Sequence, residues 1–271
     1  MPRALSTRSQ TRLTGIYTRA GSGNRSLARG LDILRAFRSG TGWLGNAEIA
    51  ERTGLPRSTV SRLARTLVEA GFLAFDPERG TYCLGRSCLS LGYGAKRGAD
   101  VLRLLRPLMR ELAEGQRLNV GLAVPDGREM VYLDSIRRDH GRHFDHVETG
   151  YRLPMELSSL GRAHLSTLAD DARDALLEHL GERHGERWPS IRDEVEEAVR
   201  AVQSQGWCAV AWDWGIVAVA APICPGHIVN VTRTTGRVGR GAALETCSKL
   251  IKRLLTRAAA NEELRLEAPY V

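Results

Sequence analysis

No acidic residue precedes Asp32 in this sequence, although Arg3, Arg8, Arg12, Arg19, Arg25 and Arg29 are spread through the same stretch. Cysteine is sparse, and Cys83, Cys88, Cys208, Cys224 and Cys247 form no CxxC pair. An odd five without paired spacing indicates neither a disulfide framework nor a zinc site, which suits a reducing cytoplasm. Long apolar runs are missing too: the longest, Ile216 to Pro222, is far too short to span a bilayer, so no membrane partner is expected. No internal repeat is visible. Ser158 and Ser159 lack a nucleophile-elbow frame. Gly236-Arg237-Val238-Gly239-Arg240-Gly241 is glycine-rich and basic, but it has neither the Lys-Ser/Thr ending of a P-loop nor a dinucleotide fingerprint, so a flexible loop is expected there. With no paired nucleophile and base in sight, neither an enzyme nor a bound cofactor is expected.

What is present is positive charge, unevenly placed. The 271 residues carry a formal +8, long for one domain and comfortable for two. From Met1 to Lys96 there are 15 Lys and Arg against 6 Asp and Glu, while the remainder holds 24 against 25. The excess therefore belongs to the N-terminal part, which points to a polyanionic partner there and a different task for the neutral remainder. Residues 1–24 match a transit peptide in composition, but a disordered basic tail that helps hold DNA is the simpler expectation.

The stretch from Asn46 to Gly71 predicts two short helices around a tight turn. Asn46 suits an N-cap, Gly54 the left-handed closing position, and Pro56 the first turn of the second helix. In that second helix Val60, Leu63, Ala64, Leu67 and Val68 recur at helical spacing and form a buried stripe. The other side offers Arg57, Ser58, Thr59, Ser61, Arg62 and Arg65 and no acid. Solvated helix faces usually mix both signs of charge. A face of cations and small hydroxyls suits a DNA major groove, where Arg pairs with guanine edges and short side chains permit close approach.

Around this pair, Ser26 is a cap for a helix to about Phe37, with Leu27, Leu31 and Leu34 expected on its inner face and Ile33 and Phe37 beside them. Phe72–Phe75 and Thr81–Leu84 flank a turn of Asp76-Pro77-Glu78-Arg79-Gly80, a hairpin that would make a winged helix-turn-helix with Arg79 near phosphates. Residues 86–96 and 101–115 read as connecting helices, with a kink or break expected near Arg106 because Pro107 follows. From Asn119 the pattern changes. Strands are expected at Val120–Val124, Glu129–Ile136, His143–Glu148, Trp207–Trp214, Ile216–Ala221 and Ile228–Thr232. Helices are expected at Ser158–Leu168, Asp171–Leu180, Ile191–Gln205 and Ala242–Ala259. Antiparallel strands with interspersed helices predict an α+β domain.

His140, His143 and His146 invite a metal reading, with Asp139 and Asp145 beside them. On a strand, however, His143 and His146 point to opposite faces, so no metal site is expected.

The order of parts resembles the IclR family of bacterial transcriptional regulators. The matching residues include Arg25–Leu34, Ala47–Ala50, Gly54–Leu63 and Thr66–Phe72, then Leu84-Gly85 and Leu91-Gly92. The second half adds Thr149–Met155, Leu160–Ala163, Gln205–Trp207 and Ala220–Pro222. The resemblance implies an N-terminal winged helix-turn-helix (25–86), linker helices (87–117) and a C-terminal GAF/PAS-like effector-binding domain (118–265). It implies a homodimer or dimer of dimers on double-stranded DNA, and a small-molecule effector, an organic or aromatic acid. Leu91-Gly92-Tyr93 and Arg162 resemble the branch that regulates aromatic-acid breakdown. By position, the effector pocket would include Ser159, Leu160, Asp213, Ala218, Asn230 and Thr232. Departures from the family pattern stand out, an abbreviated Pro222-to-Val229 turn among them. Ala209–Trp214 is apolar and aromatic where the family carries an acidic run, and Gly206–Pro222 is about two residues short of its pattern. The rival expectations are a DNA-binding protein with a vestigial sensor and a DNA-tethered enzyme.

Overall fold

The computed structural model describes residues 24–37, 41–97, 100–139, 147–212, 215–236 and 238–266. The chain divides into two compact units, Met1–Ala99 and Asp100–Val271.

The first unit opens with helix α1 (Arg25–Arg35). Its cap is Asn24 rather than Ser26: the Asn24 side-chain oxygen accepts the N–H groups of Ser26 and Leu27 at 3.1 and 3.2 Å. Leu27 and Leu31 are not on the inner face but 63% and 49% exposed, because Ile33 and Phe37 supply the buried contacts instead. Strand β1 (Leu44–Gly45) leads directly into α2 (Asn46–Thr53). The N-cap of α2 is Gly45, one residue before the expected Asn46, and the Glu48 carboxylate accepts its N–H at 2.8 Å. Gly54 closes α2 at φ 69°, a left-handed conformation that glycine adopts without penalty. Helix α3 (Arg57–Glu69) follows Pro56. Strands β2 (Leu73–Asp76) and β3 (Thr81–Leu84) form the hairpin. β1 pairs with β3 as well, giving a three-stranded sheet in the order β1-β3-β2. Ile33, Leu44, Ile49, Val60, Leu63 and Leu73 form the shared core.

Helix α4 (Arg86–Arg97) leaves the hairpin at Gly85. The Gly85 N–H donates to the Phe72 carbonyl at 2.7 Å. A Cβ there would lie 2.2 Å from the Gly71 carbonyl oxygen, so only glycine allows the chain to pass so close.

The second unit begins with α5 (Asp100–Ala113), which runs through Pro107 instead of breaking at Arg106. Val101, Leu102, Leu105, Met109 and Leu112 are buried, and that packing holds the helix together where the proline removes one hydrogen bond. Six strands form one antiparallel sheet in the order β6-β5-β4-β9-β8-β7. They are β4 (Asn119–Asp126), β5 (Glu129–Arg137), β6 (Arg152–Pro154), β7 (Cys208–Trp212), β8 (Ile216–Cys224) and β9 (His227–Thr234). The strand expected at His143–Glu148 lies mostly outside the described residues, and Val147 and Glu148 are not in a strand. Three α-helices lie between β6 and β7, α6 (Ser159–Leu165), α7 (Asp170–Gly181) and α8 (Trp188–Gln205), with a 3-10 turn at Gly185–Arg187 leading into α8. After β9 come α9 (Gly239–Ala259) and α10 (Glu262–Leu266). Gly239, Arg240 and Gly241 form the first turn of α9 rather than a flexible loop, while Arg237 lies outside the described residues.

Helices α5 and α9 pack on each other and on the sheet, and α6 packs on β8, β9 and α8. Strand β8 is accordingly buried from Ile216 to Ala221, as a strand covered on both faces must be. The class is α+β: an N-terminal winged helix-turn-helix and a C-terminal antiparallel sheet flanked by helices.

Candidate functional site

In the first unit, α3 buries Val60, Leu63 and Ala64 and turns Arg57, Ser58, Arg62 and Arg65 outward, all exposed. Thr59 and Ser61 are half-buried. Ser61 has a structural partner that sequence spacing did not reveal. Asn46 Nδ2 donates to Ser61 Oγ at 2.6 Å and to the Arg57 carbonyl at 3.3 Å, fixing the two helices of the motif to each other. Arg79 sits in the hairpin turn, where the Asp76 carboxylate accepts the Glu78 and Arg79 N–H groups at 2.9 and 3.2 Å. Its guanidinium lies 3.6 Å from the other Asp76 oxygen and is 70% exposed, so its charge still faces solvent.

The second unit holds a cavity of about 200 Å³ between the sheet and the segment leading into α6. Ser159, Ala218, Asn230 and Thr232 line it. Leu160 does not: it is fully buried in the core cluster with Met155, Leu177 and Val195. Asp213 lies outside the described residues, as do Trp214 and the three histidines at 140, 143 and 146. Trp212 lines the cavity, and Trp207 has Lys252 Nζ 5.8 Å from its ring centre.

Sequence reasoning missed Asn119, Tyr132, Ser135, Arg137 and Tyr151, which also line the cavity. The register of β4 and β5 brings in the first four, and the Tyr132 N–H, donating to the Tyr151 carbonyl at 2.9 Å, brings Tyr151 beside them. Asn119 lies opposite Arg137 and Gly121 opposite Ser135, and a bulge between Leu122 and Ala123 then pairs Ala123 with Tyr132. Without that bulge, simple alternation places Tyr132 on the other face from Ser135. Gly121 makes room for the phenol, since a Cβ there would lie 2.4 Å from Tyr132 Cε1 and 2.6 Å from Asn230 Oδ1. Asn230 Nδ2 donates to Tyr132 Oη at 2.9 Å. Burial pushes the phenol up to about 12, so it stays neutral and keeps its proton.

The wall opposite the sheet is clamped from behind. Ser158 caps α6, its Oγ accepting the Gly161 N–H at 3.1 Å. A Cβ on Gly161 would lie 2.1 Å from the Met155 carbonyl oxygen, so the glycine lets the helix seat against that segment. Glu156, 1% exposed, receives His184 Nε2 at 2.6 Å. Arg162 Nε donates to the Glu156 carbonyl at 2.9 Å and its NH2 meets Glu194 at 2.5 Å. The segment carrying Leu157, Ser158 and Ser159 is therefore held on the side away from the cavity.

Comparison with known proteins follows this division. Residues 26–77 match the IclR helix-turn-helix domain, and residues 94–238 match the bacterial transcriptional regulator IclR C-terminal domain. The HTH-type transcriptional regulator TsaQ1/TsaQ2 of Comamonas testosteroni is 33% identical over 183 residues, 67% of this chain and 66% of the relative, just under two thirds of its length. The crystal structure of an IclR family transcriptional regulator from Brucella abortus is 34% identical, covering 88% of this chain and 93% of that one with a TM-score of 0.78. A crystal structure of an IclR homolog complexed with 4-hydroxybenzoate from Microbacterium hydrocarbonoxydans shares the fold at 20% identity, with 87% and 100% coverage and a TM-score of 0.64. An antiparallel sensor-like sheet alone is common to many folds, but here both family domains match in order over most of the described chain. The chain belongs to the IclR family of bacterial transcriptional regulators.

Proposed function

We propose that this chain is a dimeric, ligand-responsive transcription factor that binds a near-palindromic operator and releases or rearranges on it when a small organic or aromatic acid occupies the second unit. The observation that carries the reading is the outward face of α3, where Arg57, Ser58, Arg62 and Arg65 are exposed over a buried apolar stripe. On this reading Arg57, Ser58, Thr59 and Arg62 contact base edges or phosphates, and Arg65 and Arg79 the backbone, while Ser61 presents the helix through its bond to Asn46. Residues 25–86 are then the reading head, 87–117 the linker and 118–265 the sensor. A homodimer is supported by the apolar side chains that α4 leaves in solvent, Leu89 at 78%, Leu91 at 62% and Tyr93 at 64% exposure. Twofold pairing would place the half-sites about one helical turn apart.

The cavity supports a working rather than a vestigial sensor. A domain that had lost its ligand would be expected to fill a void of that size, because unfilled volume costs stability. Its walls combine Tyr151, Leu153 and Trp212 with polar groups from the sheet, a composition suited to an aromatic or short organic acid. That a family neighbour is complexed with 4-hydroxybenzoate is consistent with this class. The effector acts by binding one arrangement of the dimer better than another. The test is fluorescence anisotropy of the purified full chain against duplexes from upstream of its own and adjacent genes, at moderate salt, with and without a panel of such acids. Sequence-specific binding that shifts with an acid is the expected result. Equal affinity for every duplex would refute the reading.

A further inference from the structure

Asn119 is 4% exposed and lines the cavity. Its Oδ1 accepts the N–H groups of Arg138 and Asp139 at 2.9 and 3.0 Å. Those two donors fix the amide orientation, since a flipped amide would set its NH2 against them. Nδ2 is thereby defined as the free end, and it is buried without a hydrogen-bond partner among the described residues. A buried donor left unsatisfied is costly, and at a cavity wall it calls for an acceptor from a ligand.

The strand register sets that donor between two others. Asn119 lies directly opposite Arg137 on β5 and opposite Thr232 on β9. Directly opposed side chains are roughly 4.5–5.5 Å apart at Cβ, so a guanidinium, an amide NH2 and a hydroxyl form one row across the cavity floor. Arg137 donates to the Val147 carbonyl at 3.4 Å, a long contact, and makes no ion pair among the described residues. It is the one charged side chain among the described lining residues, and no carboxylate is among them. Asp139, two residues further on, is engaged elsewhere, taking the Thr234 N–H and hydroxyl at 2.7 and 2.8 Å.

We propose that Arg137, Asn119 and Thr232 anchor the carboxylate of a compact one-ring acid, whose ring lies against Tyr151 and Trp212. This rests on the cavity being the effector site and goes further by naming the end of the ligand that is read and the residues that read it. Planar carboxylate and guanidinium geometry match, and the Asn119 amide offers a donor in addition. At about 200 Å³ the cavity falls below the roughly 300–1,000 Å³ usual for drug-sized ligands, which favours a single ring.

The test is isothermal titration of the full chain with sodium benzoate and with benzamide, its neutral counterpart. Arg137→Met, Arg137→Lys, Asn119→Asp and Ala218→Trp are titrated alongside, and the thermal unfolding of each unliganded variant is recorded. Asn119→Asp keeps the oxygen that caps Arg138 and Asp139 but replaces the donor with a repelling oxygen. Ala218→Trp fills the cavity. The expected result is that benzoate binds about ten-fold or more tightly than benzamide. Arg137→Met and Asn119→Asp each weaken benzoate by about that factor while benzamide is unchanged, and Arg137→Lys retains part of the preference. If Asn119→Asp fails to fold, Arg137→Met with its Lys control decides alone. Undiminished benzoate binding in a folded Arg137→Met variant, with loss in Ala218→Trp, overturns the anchor and leaves the cavity reading standing. Benzoate that binds Ala218→Trp as it binds the native chain, or that binds neither, overturns both.

Discussion

Asn46 reaches from α2 to α3 and donates to Ser61 Oγ at 2.6 Å. The bond joins the positioning helix to the helix proposed to enter the groove, and a second, longer contact at 3.3 Å ties Asn46 to the Arg57 carbonyl. Replacing Asn46 by Ala removes both. The expected cost is about 1 kcal/mol of stability in the first unit. A double-mutant cycle with Ser61→Ala, followed by urea unfolding, should return a coupling energy of at least about 0.5 kcal/mol. Additive single effects would show that the bond contributes nothing.

Arg62 and Arg79 are both exposed cations, yet different failures are expected when each is removed. Arg62 lies on the outward face of α3, so Arg62→Ala should cost about 1–3 kcal/mol of specific binding and relax preference at one operator position. Arg79 is at the tip of the hairpin, beside Asp76. Its loss should weaken binding evenly across sequences and lower the salt dependence by about one unit of slope. Competition binding against a library of single-base operator variants separates the two. Identical profiles for Arg62→Ala and the native chain would remove Arg62 from the reading face.

His164 is buried in α6, its Nδ1 has no hydrogen-bond partner among the described residues, and burial lowers its pKa from 6.5 to about 4. The sign follows directly. Between about pH 6.5 and 4 the unfolded chain binds a proton that the folded chain excludes, so stability falls as pH falls through that window and is retained above it. The loss from neutral pH to about pH 5 should be on the order of 2 kcal/mol. His164→Leu removes the titration without adding an unpaired polar atom. Its urea midpoint should therefore change less between about pH 7.5 and 5 than the native midpoint does. An unchanged acid slope in the variant would mean that other groups govern it.

Most of the architecture was legible because it follows from local chemistry. The apolar stripe of α3, Gly54 at the left-handed end of α2 and the Asp76–Gly80 hairpin turn each act over a few residues, and the elements appear within a residue or two of where those signals place them. Errors arose where tertiary contacts decide. Leu27 and Leu31 have the spacing of a core face, but Ile33 and Phe37 take that role and leave both leucines in solvent. Pro107 suggested a kink or a break, and the buried contacts of Leu105, Met109 and Leu112 exclude the break by carrying α5 through it. Of the cavity, the residues from β8, β9 and the start of α6 could be inferred from family position. Those from β4 and β5 could not, because the bulge at Leu122/Ala123 that turns Tyr132 inward leaves no mark in a hydropathy pattern.

Gly121 gives a direct way to disturb that arrangement. A methyl group at this position would lie 2.4 Å from a Tyr132 ring carbon and 2.6 Å from Asn230 Oδ1, so Gly121→Ala must displace the phenol or its partner. Overpacking of this kind costs about 1–3 kcal/mol. It should also break the 2.9 Å bond from Asn230 to Tyr132. The phenol is held near 12 by burial, so a ring forced toward water would return toward 10, and ultraviolet titration should show one more tyrosine ionising in the lower range. Gly30→Ala is the matching control. Gly30 is buried, but among the described residues nothing lies within 4 Å of a Cβ there and φ is not positive, so helix propensity alone predicts a gain of up to about 1 kcal/mol. Loss of stability in Gly121→Ala, a gain in Gly30→Ala and a shifted phenol only in the former would together show that the missing side chain at Gly121 makes room for Tyr132. A Gly121→Ala variant with native stability and an unmoved phenol would show that the strand shifts to absorb the methyl group, and that Gly121 is not required for the shape of the cavity.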